Sequence, residues 1–205
     1  MKKIAVTGVK ARERIILTQA LSYLTGYDIV RPTAYSIKAL KFNLKKDIRH
    51  CSWQELFTYT ISSFTERIEL DQNYKQFISN GSVFDELAHL EAIYDLYILG
   101  DEKKQEYAYM NESIKRIITE YATRQYDCIV HIHNPEAIND PFYKKMEDNL
   151  KAMTQICDNR IYIKDEILIG DTLNGILSDN NITPLISSET ALLKAKHDIN
   201  QSIDS

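Results

Sequence analysis

The stretch Lys3-Ile4-Ala5-Val6-Thr7-Gly8-Val9-Lys10-Ala11-Arg12-Glu13-Arg14-Ile15-Ile16-Leu17 decides how the rest of the chain is read. Lys3–Thr7 is a short apolar run suited to a strand covered on both faces. Gly8 ends that run, and a loop carries the chain on to Arg14. From Ile15 onward, apolar residues at Ile16, Leu17, Ala20, Leu21 and Leu24 recur at the steps of an amphipathic helix. A strand, a turn that opens on glycine and a helix form the first unit of a parallel α/β domain.

The same stretch has the layout of a phosphate-binding loop, G-x-x-x-x-G-K-[ST], with its functional positions replaced. With Gly8 as the first glycine, the second falls on Glu13, the lysine on Arg14 and the hydroxyl residue on Ile15. Glu13 sets a carboxylate where phosphates would lie, and Ile15 offers no oxygen to a metal. Arg14 keeps the charge with a different shape and reach. Lys10, Arg12 and Arg14 leave the loop cationic, ahead of a helix N-terminus that favours anions. Gly8, Lys10, Arg12 and Arg14 are therefore the candidate cofactor-binding residues; a surface turn with solvated charges is the plainer alternative.

Working outward, 205 residues suffice for one sizeable domain, and a net charge of −4 gives no global sign of nucleic-acid binding. No apolar run approaches the roughly 18 residues of a membrane span, and a cytoplasmic protein is expected. Cys51, Cys128 and Cys157 are odd in number and widely spaced, which argues against a disulfide framework or a zinc motif. One domain is expected over 1–198, with a polar tail over 199–205.

Five segments read as strands: Lys3–Thr7, Tyr27–Arg31, Ser82–Phe84, Cys128–His133 and Arg160–Ile163. Helical spacing fills the intervals, through Trp53–Phe64, Leu87–Leu99 and Ile114–Tyr121. The expected fold is a three-layer α/β/α domain with a mainly parallel five-stranded sheet. Ile182–Ile186 reads as a sixth short strand or an extended segment, and Ser187–Lys196 as a closing helix.

Ligands of parallel sheets sit beyond the carboxyl ends of the strands. That rule selects Gly8–Arg14, Arg31–Tyr35, Asp85–Glu86 and His133–Pro135. A carboxylate at such a strand end can orient magnesium through water, and a following Glu can polarise a hydroxyl. Asp85 is thus the candidate metal residue, and Asp85 with Glu86 the candidate catalytic pair. The alternative is that both acids open the next helix, where its dipole favours them. His131 and His133 share one face of a strand; as a metal pair they lack an evident third ligand, and His133 is a candidate ligand contact. Tyr94, Tyr97, Tyr107 and Tyr109 read as packing residues. Lys38, Lys41, Lys45, Lys46 and Arg49 read as a solvated basic face.

Taken in order, these segments resemble the P-loop nucleoside and nucleotide kinases. The resemblance is to the ATPase/kinase domain of NAD metabolism (ribosylnicotinamide-kinase-like) and to thymidylate kinases, over roughly residues 2–178. Ile4–Gly8 with Arg14–Leu21 is similar to the loop and helix. Ile29-Val30-Arg31-Pro32-Thr33 is similar to the family's "REPTR" segment, Val83–Tyr94 to its "DRSxxDxxAY", Tyr126–Pro135 to the fourth strand, and Asp140–Leu150 to the lid and its helix. The resemblance implies ATP, Mg2+ and phosphoryl transfer to a small hydroxyl acceptor. It also implies substrate contacts at Arg31, His133, Lys144 and Lys145. The acidic residue of "REP" falls on Arg31, however, and the arginine after Asp85 is Glu86. Three functions stay open: a nucleotide- or phosphate-binding protein with weak or absent phosphotransferase activity, an active kinase with an atypical loop, and a non-enzymatic interaction protein with an empty site. The expected partner is a nucleotide or other phosphate-bearing small molecule, with a protein partner also open.

Overall fold

The structure is a computed structural model that describes residues 2–31, 51–97, 101–133, 139–158, 160–163 and 169–203. Its strands are β1 (Lys3–Thr7), β2 (Asp28–Val30), β3 (Phe77–Asn80), β4 (Cys128–Ile132) and β5 (Arg160–Ile163). They form one sheet in the order β2-β3-β1-β4-β5, and every pairing is parallel. β1 is therefore central, with Lys3 beside Phe77 on one side and Ile4 beside Cys128 on the other. The helices are α1 (Ala11–Thr25), α2 (Trp53–Gln72), α3 (Val83–Tyr97), α4 (Asp101–Gln125), α5 (Pro141–Thr154), α6 (Ile169–Asp179) and α7 (Ser188–Ile203). The expected five-stranded parallel sheet between helical layers is what the chain forms.

Alternation along the strands builds the two cores. Ile4, Val6, Ile78, Cys128, Val130 and Ile132 face one way, against Leu17, Leu21 and Leu24 of α1, Leu173 and Ile176 of α6 and Ala191 and Ala195 of α7. Ala5, Phe77 and Ile129 face the other way, against α2 through α5, where Phe84, Leu87, Ile118 and Leu150 are buried. Each such leucine contributes roughly 1.5–3 kcal/mol by leaving water. Cys128 is a core residue, as its sequence context implies, and burial pushes its thiol up to about 11. No helix among the described residues is long and apolar enough to cross a membrane.

Several boundaries differ from those expected. The third strand is Phe77–Asn80, not Ser82–Phe84, and α3 begins at Val83 rather than Leu87. Asn80-Gly81 is the turn that ends the strand. Gly81 has φ +102, which stops extended pairing. Val83, Phe84, Leu87 and Ala88 then follow helical spacing onto the core. β2 and β4 are each shorter than expected, ending at Val30 and Ile132. Ile182–Ile186 forms no strand; Leu185 N–H donates to Leu24 O at 2.7 Å and pins an extended segment beside the end of α1. α7 continues past Lys196 to Ile203, because Ile199 extends the stripe begun by Ala191 and Ala195 and packs on the same core. The basic stretch Lys38–Arg49, Pro32–Tyr35 and Asn134-Pro135 lie outside the described residues.

One buried polar group fastens α2 to the sheet. Arg67, 1% exposed, donates to Ser79 Oγ at 2.9 Å and to Arg31 O at 3.1 Å. Asp71, one helical turn on, accepts from Tyr126 Oη at 2.7 Å and lies 3.9 Å from Arg67 Nη1. Burial raises the Asp71 carboxyl to about 6, against the opposing pull of Arg67 and Tyr126. Between an unfolded value near 4 and this folded value, the native state binds more protons than the unfolded chain. The contribution of Asp71 to stability is therefore fullest at low pH and declines as pH rises through about 6. Carboxyl carbon NMR of Asp71 should titrate near that value; a midpoint at or below 4 would contradict the assignment.

Gly8 has φ +141, and a Cβ there would stand 2.6 Å from Ile132 O. Gly8→Ala should cost about 3 kcal/mol in chemical denaturation. Gly26→Ala, at the left-handed cap of α1, should cost only about 1 kcal/mol, and equal losses would show that the Gly8 contact is relieved by movement.

Candidate functional site

At the carboxyl ends of β1, β3 and β4, the crevice position of a parallel sheet, the loop after β1 meets the start of α3. Helix α1 begins at Ala11, so only Gly8, Val9 and Lys10 separate it from β1. Lys10 is the N-cap, extended and without a side-chain capping bond, and Arg14 N–H donates to Lys10 O at 3.1 Å. Ala11, Arg12, Glu13 and Arg14 are thus already helical, although the motif layout would have them in the loop that faces an anion. An early helix follows from the residues: Ala11, Arg12, Glu13 and Arg14 are good helix formers and no second glycine opposes them.

Asp85 is the hub of this crevice. Its Oδ2 accepts from Ser82 N at 2.6 Å, Thr7 Oγ1 at 2.7 Å and Ser82 Oγ at 2.8 Å. Its Oδ1 accepts from Arg14 Nη1 at 3.3 Å and Gly8 N at 3.4 Å. Arg14 also donates from Nε to Asn80 Oδ1 and from Nη1 to Gly8 O, both at 2.8 Å. The guanidinium lies across the end of β1, holding β1, β3 and α3 together. Asp85 accepts from the Ser82 backbone N–H three residues before it, as the acid of a capping pair does, while Ser82 Oγ accepts from Phe84 N–H at 3.2 Å.

The other candidates are distributed as follows. Glu86 is half-buried, one residue on in α3, and does not share the direction of Asp85. Lys10 pairs with Glu13 at 3.8 Å, and Arg12 donates to Asn200 Oδ1 of α7 at 3.2 Å. Ile15, at the position of the metal-binding hydroxyl, is 39% exposed. Arg31 is exposed, and its carbonyl serves Arg67. Lys144 is exposed on α5. Lys145 bonds Asp95 of α3 at 2.9 Å, an interaction that raises its amine above the ordinary lysine value. Tyr94 stacks on Tyr107 with ring centroids 3.4 Å apart, Tyr109 is exposed, and the Tyr97 side chain lies outside the described residues.

His131 and His133 do share a face, and α5 brings a carboxylate to both. Glu147 Oε1 stands 2.8 Å from His131 Nε2 and 2.6 Å from His133 Nδ1. Burial acts to raise the Glu147 carboxyl, but the hydrogen bonds and charge of the two imidazoles prevail and hold it below the ordinary range. Sequence reasoning missed Glu147, along with Thr7, Asn80 and Ser82. For Ser82 a signal existed in Ser82-x-x-Asp85, the spacing of a helix-capping pair. For Glu147 there was none, because its partners lie on a strand reached only through the fold.

No protein-family model matches the chain, and no curated protein matches it in sequence. Comparison with solved structures defines the fold class: a P-loop nucleoside-kinase-like fold. Among the similar structures is deoxyadenosine kinase from M. mycoides with bound dATP, at a TM-score of 0.62 and 12% identity over 88% of this chain and 100% of that one. The same enzyme with dCMP and dCDP bound gives a TM-score of 0.60 at 13% identity, over 87% and 98% of the two chains. NadR in complex with NAD and AMP-PNP gives 0.57 at 12% identity, over 88% of this chain and 50% of that one.

Asp85→Ala should leave the Arg14 charge and the Ser82 N–H without their acceptor. A loss of about 2–4 kcal/mol is expected in chemical denaturation; a loss under 1 kcal/mol would remove Asp85 from its structural role.

Proposed function

We propose that the protein is a kinase-like nucleotide- or phosphate-binding protein whose phosphotransferase activity is weak or absent. The observation that carries this reading is the Arg14–Asp85 contact, which closes the crevice where a phosphate-binding loop would open it. Anion binding is supported by the uncapped start of α1, by Lys10 and Arg12 beside it, and by the nucleotides named with the structurally similar proteins. A phosphate would have to draw Lys10 from Glu13 and Arg12 from Asn200. Arg14 can also serve, by exchanging the Asp85 carboxylate for a phosphate oxygen.

The donor set does not fit Mg2+. Asp85 already accepts from five donor atoms, and the hydroxyl residue of a metal-binding loop is replaced by Ile15. Without a metal to bridge phosphates and neutralise developing charge, positioning alone gives little phosphoryl transfer. An active kinase using Asp85 for metal and Glu86 as base is the second reading. It is favoured only by the place of Asp85 at the carboxyl end of the sheet, and it requires Asp85 to leave its donors and Glu86 to turn towards it. Arg31, His133, Lys144 and Lys145 stand in this proposal as candidate substrate contacts, of which His133 and Lys145 are engaged by Glu147 and Asp95.

Calorimetric titration with ATP, dATP and inorganic phosphate, with and without Mg2+, tests the assignment together with an assay for ADP release. Binding that does not depend on Mg2+ and is not followed by turnover is expected. Mg2+-dependent binding with turnover would establish the active reading, and no binding at millimolar nucleotide the empty-site one. Asp85→Asn should release the Arg14 charge and raise phosphate affinity about fivefold, equivalent to roughly 1 kcal/mol. Lys10→Glu should lower it by a similar factor.

A further inference from the structure

Between β4 and α5 three metal-ligating side chains converge, of which His133 alone is also a candidate substrate contact. His131 and His133 project from the same face at the end of β4, and Glu147 reaches them from α5. All are buried, at 0%, 9% and 1% exposure. One donor atom from each lies within 4.8 Å of the other two. The imidazole planes cross at 78°, and each ring presents a nitrogen to the same Glu147 oxygen.

Two imidazole nitrogens converge on one carboxylate oxygen: His131 Nε2 lies 2.8 Å and His133 Nδ1 2.6 Å from Glu147 Oε1, and His131 Nδ1 lies 3.1 Å from Thr154 Oγ1. The second carboxylate oxygen, Glu147 Oε2, is buried and has no hydrogen-bond partner. An unpartnered buried carboxylate oxygen is costly, and here it lies in the one cluster of metal-ligand type found among the described residues.

We infer that His131, His133 and Glu147 form a binding site for a divalent transition-metal ion of the Zn2+ type. Two imidazoles and a carboxylate suit Zn2+, Co2+ or Ni2+ rather than Mg2+ or Ca2+. Around a tetrahedral ion with ligands at about 2.1 Å, donor atoms stand about 3.4 Å apart. The Oε1–nitrogen separations of 2.6 and 2.8 Å must therefore open slightly, which rotation of the Glu147 carboxylate accomplishes, bringing Oε2 into use. Thr154 orients His131 through Nδ1, as an outer-shell partner does. The ion fastens α5, which borders α3 and carries Lys144 and Lys145, to the end of a strand adjoining β1. The site shares His133 with the candidate substrate contacts, but its argument uses none of the observations on Arg14 and Asp85.

Full-length protein stripped with chelator and dialysed should be titrated with Zn2+ against a chromophoric chelator, and separately with Co2+. About one equivalent of Zn2+ should bind and raise the melting temperature, and Co2+ should give the visible bands of a four-coordinate nitrogen–oxygen site. Glu147→Gln and His133→Ala should each weaken Zn2+ binding at least tenfold, with circular dichroism confirming the fold, and Thr154→Val about tenfold. His197→Ala, an exposed histidine bonded to Gln201 in α7, should leave the affinity unchanged. Absence of Zn2+ binding by wild-type protein at 0.1 mM (about a hundred times a micromolar dissociation constant), six-coordinate Co2+ spectra, or undiminished binding in both ligand variants would each overturn the site. A network held by protons alone gives the first of these results.

Discussion

The crevice depends on one carboxylate. Asp85 lies within 11% side-chain exposure of solvent and accepts from the backbone of β1's exit, a hydroxyl on β1, the cap of α3 and the guanidinium of α1. A partly buried charge is tolerable only when it is paired and hydrogen-bonded, and Arg14 supplies both terms. The requirement runs in both directions, since Arg14 lies at 17% side-chain exposure and takes Asp85, Asn80 and Gly8 O as its acceptors. Removing either partner leaves a charge near the floor of the crevice.

That mutual requirement gives the departures in the loop a common physical form. A glycine-rich loop keeps its backbone N–H groups aimed at an anion because it cannot become helical. Here the second glycine is Glu13, helix α1 starts at Ala11, and the cation of the loop points back to a protein carboxylate. Asp85 is an internal anion paired with Arg14, and under the proposed function an external phosphate would compete with it for the same guanidinium.

The second polar cluster has different stakes. Glu147, His131 and Thr154 are at most 1% exposed, and the residues around them on α5 and β4 are apolar. In such surroundings an unsatisfied lone pair is expensive and a satisfied network rigid. The cluster joins the sheet to α5 on the face opposite α1, so the two polar sites flank β1 and β4 without sharing a side chain.

Periodicity and glycine placement made much of this protein legible in its sequence. Lys3–Thr7, Gly8 and the helix behind them set the βα unit, and the alternation of apolar strands with amphipathic stretches set a parallel sheet between helical layers. Those features are local: side-chain period and backbone freedom are properties of neighbouring residues. The third strand was misplaced because Phe77-Ile78-Ser79-Asn80 carries two polar residues, whereas Val83-Phe84 looks more apolar than a helix start. Only the tertiary structure decided which acids and cations meet. Arg14 finds Asp85 across 71 residues, and Glu147 finds His131 across 16. Their pairing is set by the β2-β3-β1-β4-β5 order and by the angle at which α3 and α5 cross the sheet, which no local pattern encodes.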